Sequence, residues 1–221
     1  MKIHRFIGHI EDPEITRQIR NVLKLKVGEK IILGDGKGHD SLLEITHVDK
    51  EIRYKLIETI ETTKPKRQVN LYLAILKKEN FELAVQKAVE CGVSTITPII
   101  TERTIKTGLN FPRLEKIILE ASEQCGRTTL PELFEIFDFS EAIDSYAEEK
   151  IIFHTGENTK DYTANKDASS VNIFVGPEGG FTEKEILLAK ERGYTSASLG
   201  PLTLRGETAA IIGTYRAVHS I

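Results

Sequence analysis

The chain has 221 residues, 40% of them hydrophobic and 29% charged, with 30 Lys/Arg against 33 Asp/Glu and a net charge of −3. That composition excludes a disordered or collagen-like chain, and so balanced a charge does not by itself announce nucleic-acid binding. Two cysteines, Cys91 and Cys125, build neither a disulfide framework nor a zinc site, no apolar run approaches the ~20 residues that span a bilayer, and the start lacks a secretory pattern, so a reducing, cytoplasmic setting is expected.

The first 70 residues carry 14 Lys/Arg against 11 Asp/Glu, a basic surplus on an otherwise acidic chain. Such a surplus suits a phosphate-facing module and equally suits ordinary scatter. Ile3–His9 reads as a strand, Pro13–Leu25 as a helix, and Lys30–Leu33, Ser41–Val48 and Ile52–Ile60 as strands. Asp35-Gly36-Lys37-Gly38 is the hairpin turn between two of them, because glycine accepts positive φ. Short strands with one helix predict a small β-barrel. The polar, basic, proline-containing break Thr62-Thr63-Lys64-Pro65-Lys66-Arg67-Gln68 predicts a linker, and with it domains of residues 1–66 and 67–221.

Beyond the linker, Val69–Leu76 is an apolar strand, and Phe81, Ala84, Val85, Ala88 and Val89 make a helical stripe within Asn80–Cys91. Ser94–Ile100 is a β-branched strand, Pro112–Cys125 a helix, Glu132–Phe137 a weaker strand and Ser140–Glu149 a short helix. Lys150–His154 and Val171–Val175 are apolar strands separated by a polar loop. Thr182–Arg192 is a helix opened by a capping box of Thr182 and Glu185. Ala197–Leu199 is a short strand, and Arg205–His219 the last helix. This alternation predicts an α/β domain with a mostly parallel sheet. Cys91 and Cys125 are expected as packing residues on the sheet-facing sides of their helices.

The strongest local signal is Phe174-Val175-Gly176-Pro177-Glu178-Gly179-Gly180-Phe181-Thr182. A buried strand runs through a turn with three glycines, a proline and an acid into a capped helix, where open α/β sheets bind ligands. It is neither a phosphate loop nor a dinucleotide fingerprint. Leu199-Gly200-Pro201-Leu202-Thr203-Leu204-Arg205-Gly206-Glu207 repeats the arrangement of strand, Gly-Pro loop and helix. Two such loops at neighbouring strand ends would clamp one planar ligand between main-chain amides and aliphatic side chains. The helix dipole accounts for Glu207 but not for Arg205, a cation where the dipole disfavours one. Lys77-Lys78-Glu79 and Glu102-Arg103-Thr104 are charged groups at strand ends that a solvated loop explains as well as a ligand does. Glu120 to Arg127, with Gly126 as a natural helix stop, reads as a solvated helix end or as an RNA or subunit contact. His154 closes an apolar strand and reads as structural. No His/Asp/Glu pair has metal spacing.

Together, Gly176-Pro177-Glu178-Gly179-Gly180-Phe181-Thr182, Leu199-Gly200-Pro201 and Leu204-Arg205-x-Glu207-Thr208-Ala209 resemble the paired signature of the ribosomal RNA small-subunit methyltransferase E family of the SPOUT superfamily. Further matches run along the chain: His4-Arg5-Phe6, Ile19-Arg20-Asn21-Val22-Leu23-Lys24, Glu82-x3-Gln86-Lys87-Ala88-x-Glu90-x-Gly92-Val93, Thr101-Glu102-Arg103 and Glu120-Ala121-x-Glu123-Gln124-x-Gly126-Arg127. Leu202 and Thr203 depart from the arginine and aliphatic residue usual in the family. Main-chain contacts survive that change, and a guanidinium's role does not.

The resemblance implies a PUA-like β-barrel followed by a methyltransferase domain with a deep trefoil knot. It implies methylation of N3 of a uridine in 16S ribosomal RNA from S-adenosylmethionine, on the assembled small subunit, by a homodimer with neither metal nor membrane partner. Cofactor contacts are then expected at His154, Thr155, Gly176, Pro177, Gly179, Leu199, Gly200, Leu204 and Thr208. Arg205 would polarise a uracil carbonyl, and Glu178 would accept a proton or orient the base. Arg5, Arg20, Lys24, Lys26, Arg103 and Arg127 would contact RNA. The rival readings are a SPOUT enzyme acting at another RNA position and an RNA-binding assembly factor with an inactive pocket.

Overall fold

A computed structural model of the chain describes residues 3–49, 51–61, 67–156 and 159–219. Its contacts divide these into two units, residues 3–61 with Leu119–Leu130, and residues 67–118 with 131–219. Of the linker expected over Thr62–Gln68, residues 62–66 lie outside the described residues, whereas Arg67 is buried and ion-paired with Glu149 and Gln68 opens a strand of the second unit.

The first unit contains β1 (His4–Ile7), α1 (Pro13–Arg17), β2 (Lys30–Gly34), β3 (His39–Val48) and β4 (Ile52–Glu61). The β-barrel expected here takes the form, among the described residues, of a four-stranded sheet in the order β1-β2-β3-β4, with β1 parallel to β2 and the rest antiparallel. Asp12 caps α1 by accepting the Glu14 N–H at 2.8 Å, and Pro13 sits where a missing donor costs nothing. The helix expected over Pro13–Leu25 is α-helical only to Arg17. It continues as a π-helical stretch, Gln18–Val22, and Lys24 then takes a left-handed φ of 52°. Phe6, Ile15, Ile19, Ile31, Leu43 and Ile45 form the core of this unit. Residues 119–130 join it through hydrogen bonds: the Ile7 N–H donates to Glu123 Oε1 at 2.8 Å and the Leu130 N–H to the Gly36 carbonyl at 2.9 Å.

The second unit runs β5 (Gln68–Ala74), α2 (Lys78–Cys91), β6 (Thr95–Ile100), α3 (Phe111–Cys125, whose residues from 119 belong to the first unit), β7 (Glu132–Leu133), β8 (Phe137–Asp138), α4 (Phe139–Ala142), β9 (Glu149–Phe153), β10 (Lys160–Asp161), β11 (Ser170–Val175), α5 (Glu183–Glu191), β12 (Thr195–Ser198) and α6 (Gly206–His219). The strands pair in parallel in the order β10-β12-β9-β11-β5-β6-β7, with β8 also on β6. Three local expectations are corrected. The strand over Glu132–Phe137 is two short pieces. The helix over Ser140–Glu149 is the single turn α4. The polar loop before β11 holds the small edge strand β10. Cys91 is half-buried, but Cys125 is exposed at the end of α3 rather than packed.

Apolar and polar contacts both lock the strands in register. The Phe174 ring stacks on Tyr72 with centroids 4.3 Å apart and meets Phe139 and Tyr194 edge-on. Below that layer, Thr95 Oγ1 donates to Asn70 Oδ1 at 3.0 Å, Asn70 Nδ2 to Asn172 Oδ1 at 2.8 Å, and Asn172 Nδ2 to Ser145 Oγ at 2.9 Å. Asn70 is level with both Thr95 and Asn172. A slip of one residue would orphan these groups at about 1–3 kcal/mol each. Leu73, next to the end of β5, and the strand ends Phe153 and Val175 are therefore level across the middle of the sheet.

Helix α6 lies unusually close to this sheet because glycines face it. A Cβ on Gly206 would stand 2.8 Å from Leu76 Cδ2 and 3.3 Å from the Gly176 carbonyl oxygen. The first turn of α6 is thus pinned against the segments that follow β5 and β11.

Candidate functional site

At the carboxyl ends of β9, β11 and β12 lies a cavity of about 690 Å³. That is where an open parallel sheet leaves its crevice. Three segments wall it. Residues 176–181 follow β11, residues 199–205 follow β12, and His154-Thr155 follow β9. Because β9 lies between β11 and β12, the two glycine loops are not on neighbouring strands as expected; they flank the His154-Thr155 end.

The first loop is held from both sides. The Gly180 N–H donates to the Pro177 carbonyl at 2.8 Å, with Gly180 at a φ of 67° that favours glycine. The capping box then starts α5: the Thr182 N–H donates to Glu185 Oε2 at 2.7 Å, and the Glu185 N–H to Thr182 Oγ1 at 3.3 Å. Glu185 Oε1 accepts the Glu102 N–H at 2.9 Å, which ties in the segment after β6. Arg103, next in that segment, packs its stem on Gly179 and donates from Nη1 to the Gly179 carbonyl at 2.7 Å.

Of the residues expected at a cofactor, His154, Thr155, Gly176, Pro177, Gly179, Leu199 and Leu204 line the cavity. Gly200 and Thr208 do not. Gly200 makes the turn at a φ of 123°, and Thr208 lies in the first turn of α6. Both expected catalytic residues line it and are exposed. Glu178 Oε1 accepts the Lys77 N–H at 3.2 Å, which joins the glycine loop to the start of α2. Burial, with a smaller contribution from Lys190, holds the His154 imidazole below its ordinary pKa.

Of the residues expected at RNA, only Arg103 borders this cavity. The others belong to the first unit. Arg5 is drawn inward and ion-paired to the fully buried Asp40. Arg20 is exposed and donates from Nη1 to the Asp49 carbonyl at 3.2 Å. Lys24 and Lys26 are exposed. Arg127 is half-buried and donates from Nε to the Thr129 carbonyl at 3.1 Å, and burial lowers its pKa.

The cavity also contains residues outside the expected cofactor and catalytic sets. Asn80, which no motif included, lines it at the start of α2 beside Lys77, whose group was open between a solvated loop and a ligand contact, and so do Leu202 and Thr203 of the second glycine loop. Glu207 lines it too and is 7% exposed, with Oε2 buried and without a hydrogen-bond partner among the described residues. A helical stripe was there to be read: Glu207, Ala210, Thr214 and Ala217 are all buried, at the spacing of the inner face of α6. The site therefore joins apolar faces at Phe153, Val175 and Leu199 to main-chain groups, with a charged rim of Lys77, Arg103, Glu178 and Arg205. Such a lining suits a flat heteroaromatic ligand with a polar tail. Among the described residues no cluster of His, Cys, Asp and Glu is placed to hold a metal ion, and no helix is long and apolar enough to cross a membrane.

Residues 62–216 match the family described as RNA methyltransferase domain, and residues 12–52 the family described as RNA methyltransferase PUA domain. The chain is 32% identical over 203 residues to the ribosomal RNA small subunit methyltransferase E of Rickettsia conorii, covering 87% of this chain and 82% of that one. It is 33% identical over 167 residues to the Aquifex aeolicus protein of the same name, covering 73% of each. Its fold superposes on the crystal structure of a ribosomal RNA small subunit methyltransferase E from Neisseria gonorrhoeae bound to S-adenosyl methionine. The TM-score is 0.87 at 29% identity, covering 96% of this chain and 95% of that one.

Proposed function

Because this chain belongs to the ribosomal RNA small subunit methyltransferase E family, we propose that it transfers a methyl group to N3 of a uridine in 16S ribosomal RNA. It is an S-adenosylmethionine-dependent ribosomal RNA methyltransferase whose methyltransferase domain is preceded by a PUA domain. The observation that carries the reading is the convergence of the 176–181 and 199–205 loops on one cavity.

The residues present fit the cofactor. The cavity offers apolar faces for an adenine at Phe153, Val175 and Leu199, and main-chain groups of the glycine loops for its edges. His154, Thr155, Gly176, Pro177, Gly179, Leu199 and Leu204 would hold it. When bound, S-adenosylmethionine supplies a methyl group already activated on a sulfonium. What remains for the protein is alignment and the handling of charge. Arg205 donates to a uracil carbonyl and disperses the charge that grows there as N3 loses its proton. Glu178, through Lys77, and Arg103, through Gly179, hold the glycine loop in place.

N3 lies on the pairing edge, so the uridine enters unpaired or extruded. Arg20, Lys24 and Lys26, exposed cations of the first unit, meet phosphates of the same RNA, which makes binding salt-dependent. A second copy of the chain covers α6, where Ile211 and Ile212 are only half-buried and Tyr215 is 48% exposed. The substrate would place the protein in the cytoplasm with the ribosome. Mass mapping of 16S RNA from small subunits incubated with the protein and S-adenosylmethionine tests the reading: a new methyl on a uridine base supports it, and a methyl elsewhere or none overturns it. Sedimentation at micromolar concentration tests the dimer.

A further inference from the structure

The more buried of the two acids that line the cavity has one oxygen without a partner among the described residues. Glu207 stands in the first turn of α6, is 7% exposed, and keeps Oε2 away from both water and any donor among the described residues. The dipole of α6 favours a carboxylate in that turn, yet a dipole does not replace a hydrogen bond at a buried oxygen. The backbone under it is fixed, since Gly206 before it is wedged between Leu76 and the Gly176 carbonyl and the same inner face is packed at Ala210, Thr214 and Ala217. The side chain borders the cavity, and turning it toward a ligand gives Oε2 the hydrogen it lacks.

The other carboxylate of the cavity differs in both respects. Glu178 is exposed, and its Oε1 already accepts the Lys77 N–H. A uracil N3 carries a hydrogen at neutral pH, and its electron pair cannot attack until that hydrogen is taken. The acceptor for it must be within hydrogen-bond reach and must not be engaged elsewhere.

We propose that Glu207 is the general base of the methyl transfer, with Oε2 receiving the N3 hydrogen; this rests on the reading of uridine N3 as the methyl acceptor. The proton passes from N3 to the Glu207 carboxylate, and the electron pair left on N3 forms the bond to the methyl carbon. The pair of the breaking S–CH3 bond returns to sulfur, which ends as a neutral thioether. Glu207 finishes as a carboxylic acid and gives its proton to water when the product leaves. Arg205 and Asn80, which line the same cavity, supply donors for the carbonyls flanking N3. The ligand class this selects is a ring imide, a single N–H between two carbonyls, over a base edge that offers only acceptors.

The test compares the full-length protein with its Glu207→Gln variant, which keeps size and hydrogen bonding but cannot take a proton. Single-turnover methylation of reconstituted small subunits is followed from pH 6 to 9. At neutral pH the variant should be slower by about 100-fold or more. Its residual rate should climb about tenfold per pH unit, because only RNA already ionised at N3 then reacts. Small subunits carrying 5-fluorouridine, whose N3 is more acidic, should recover much of the lost rate in the variant and gain little in the parent. Calorimetry with S-adenosylmethionine should give affinities within about threefold of each other, and the melting midpoint of the ligand-free variant should be equal or higher, since an unpaired charge has gone.

A variant rate within about threefold of the parent overturns the proposal. So does a rate loss matched by an equal loss of cofactor affinity, which makes Glu207 a cofactor contact. A lower midpoint with lost binding makes it structural and overturns the proposal as well. Failure of the underlying reading looks different. The parent protein would itself give no heat with S-adenosylmethionine, or would methylate an atom that bears no imide hydrogen.

Discussion

Gly213 lies against the ring of Phe153, so that a Cβ on residue 213 would stand 2.5 Å from Phe153 Cε2 and 3.1 Å from Cδ2 and Cζ. In an exposed helix interior, Gly to Ala gains about 1 kcal/mol. Here the gain is reversed, because Phe153 is buried at the end of β9 and its ring is packed edge-on against Tyr162. Gly213→Ala is expected to cost about 1–3 kcal/mol and to lower the melting midpoint by several degrees. Because the clash lifts α6, cofactor affinity should fall as well. An unchanged midpoint by differential scanning calorimetry would refute the close approach.

Glu185 holds three donors at once: the Thr182 N–H, the Thr182 hydroxyl and the Glu102 N–H. It is 8% exposed, so its loss strands buried groups rather than releasing them to water. Glu185→Ala should cost about 2–3 kcal/mol, read as a shifted urea midpoint with an unchanged slope. Glu185→Gln keeps one acceptor oxygen and should cost about half as much.

Arg103→Met keeps a stem to pack on Gly179 and removes only the donor to its carbonyl. The contact is exposed, so global stability should move by less than about 0.5 kcal/mol. Cofactor affinity, which depends on the pose of the glycine loop, should weaken about threefold to tenfold by calorimetry. An unchanged affinity would show that the loop holds its shape without the strap.

The imidazole of His154 has a pKa below its ordinary range because burial and the Lys190 ammonium penalise its charged form. The unfolded chain therefore takes up the proton first as pH falls, from about pH 6.5. Stability should decline over the window between that value and the lower folded value, and level off below it. Replacing His154 with Gln should flatten this part of a plot of melting midpoint against pH; an identical slope in the variant would remove His154 as its source.

Much of this was legible in the chain because it was local. The apolar runs at Val69–Leu76 and Val171–Val175 read as buried strands, and Thr182 with Glu185 announced the start of α5 from two residues alone. The glycine loops revealed themselves because a turn alone does not require that composition. What escaped depended on partners distant in sequence. The weak strand at Glu132–Phe137 breaks in two because both pieces are held only by β6. The strand β10 is two polar residues that exist only through β12. Residues 119–130 side with the first unit through hydrogen bonds with Ile7, Gly36 and Gly38, invisible to any periodicity. Glu207 was read as a dipole-stabilised charge because nothing local says that a sheet and a second loop close over it.

The chain order of the cavity sets a timetable for its assembly. Every strand of the parallel sheet, and both glycine loops, are synthesised before Glu207 and the glycines that seat α6. A chain released at residue 200 would carry every described strand of the sheet and yet have an open trough in place of a pocket. Completion of the pocket thus waits for α6, which closes over strands and loops that all precede it in the chain.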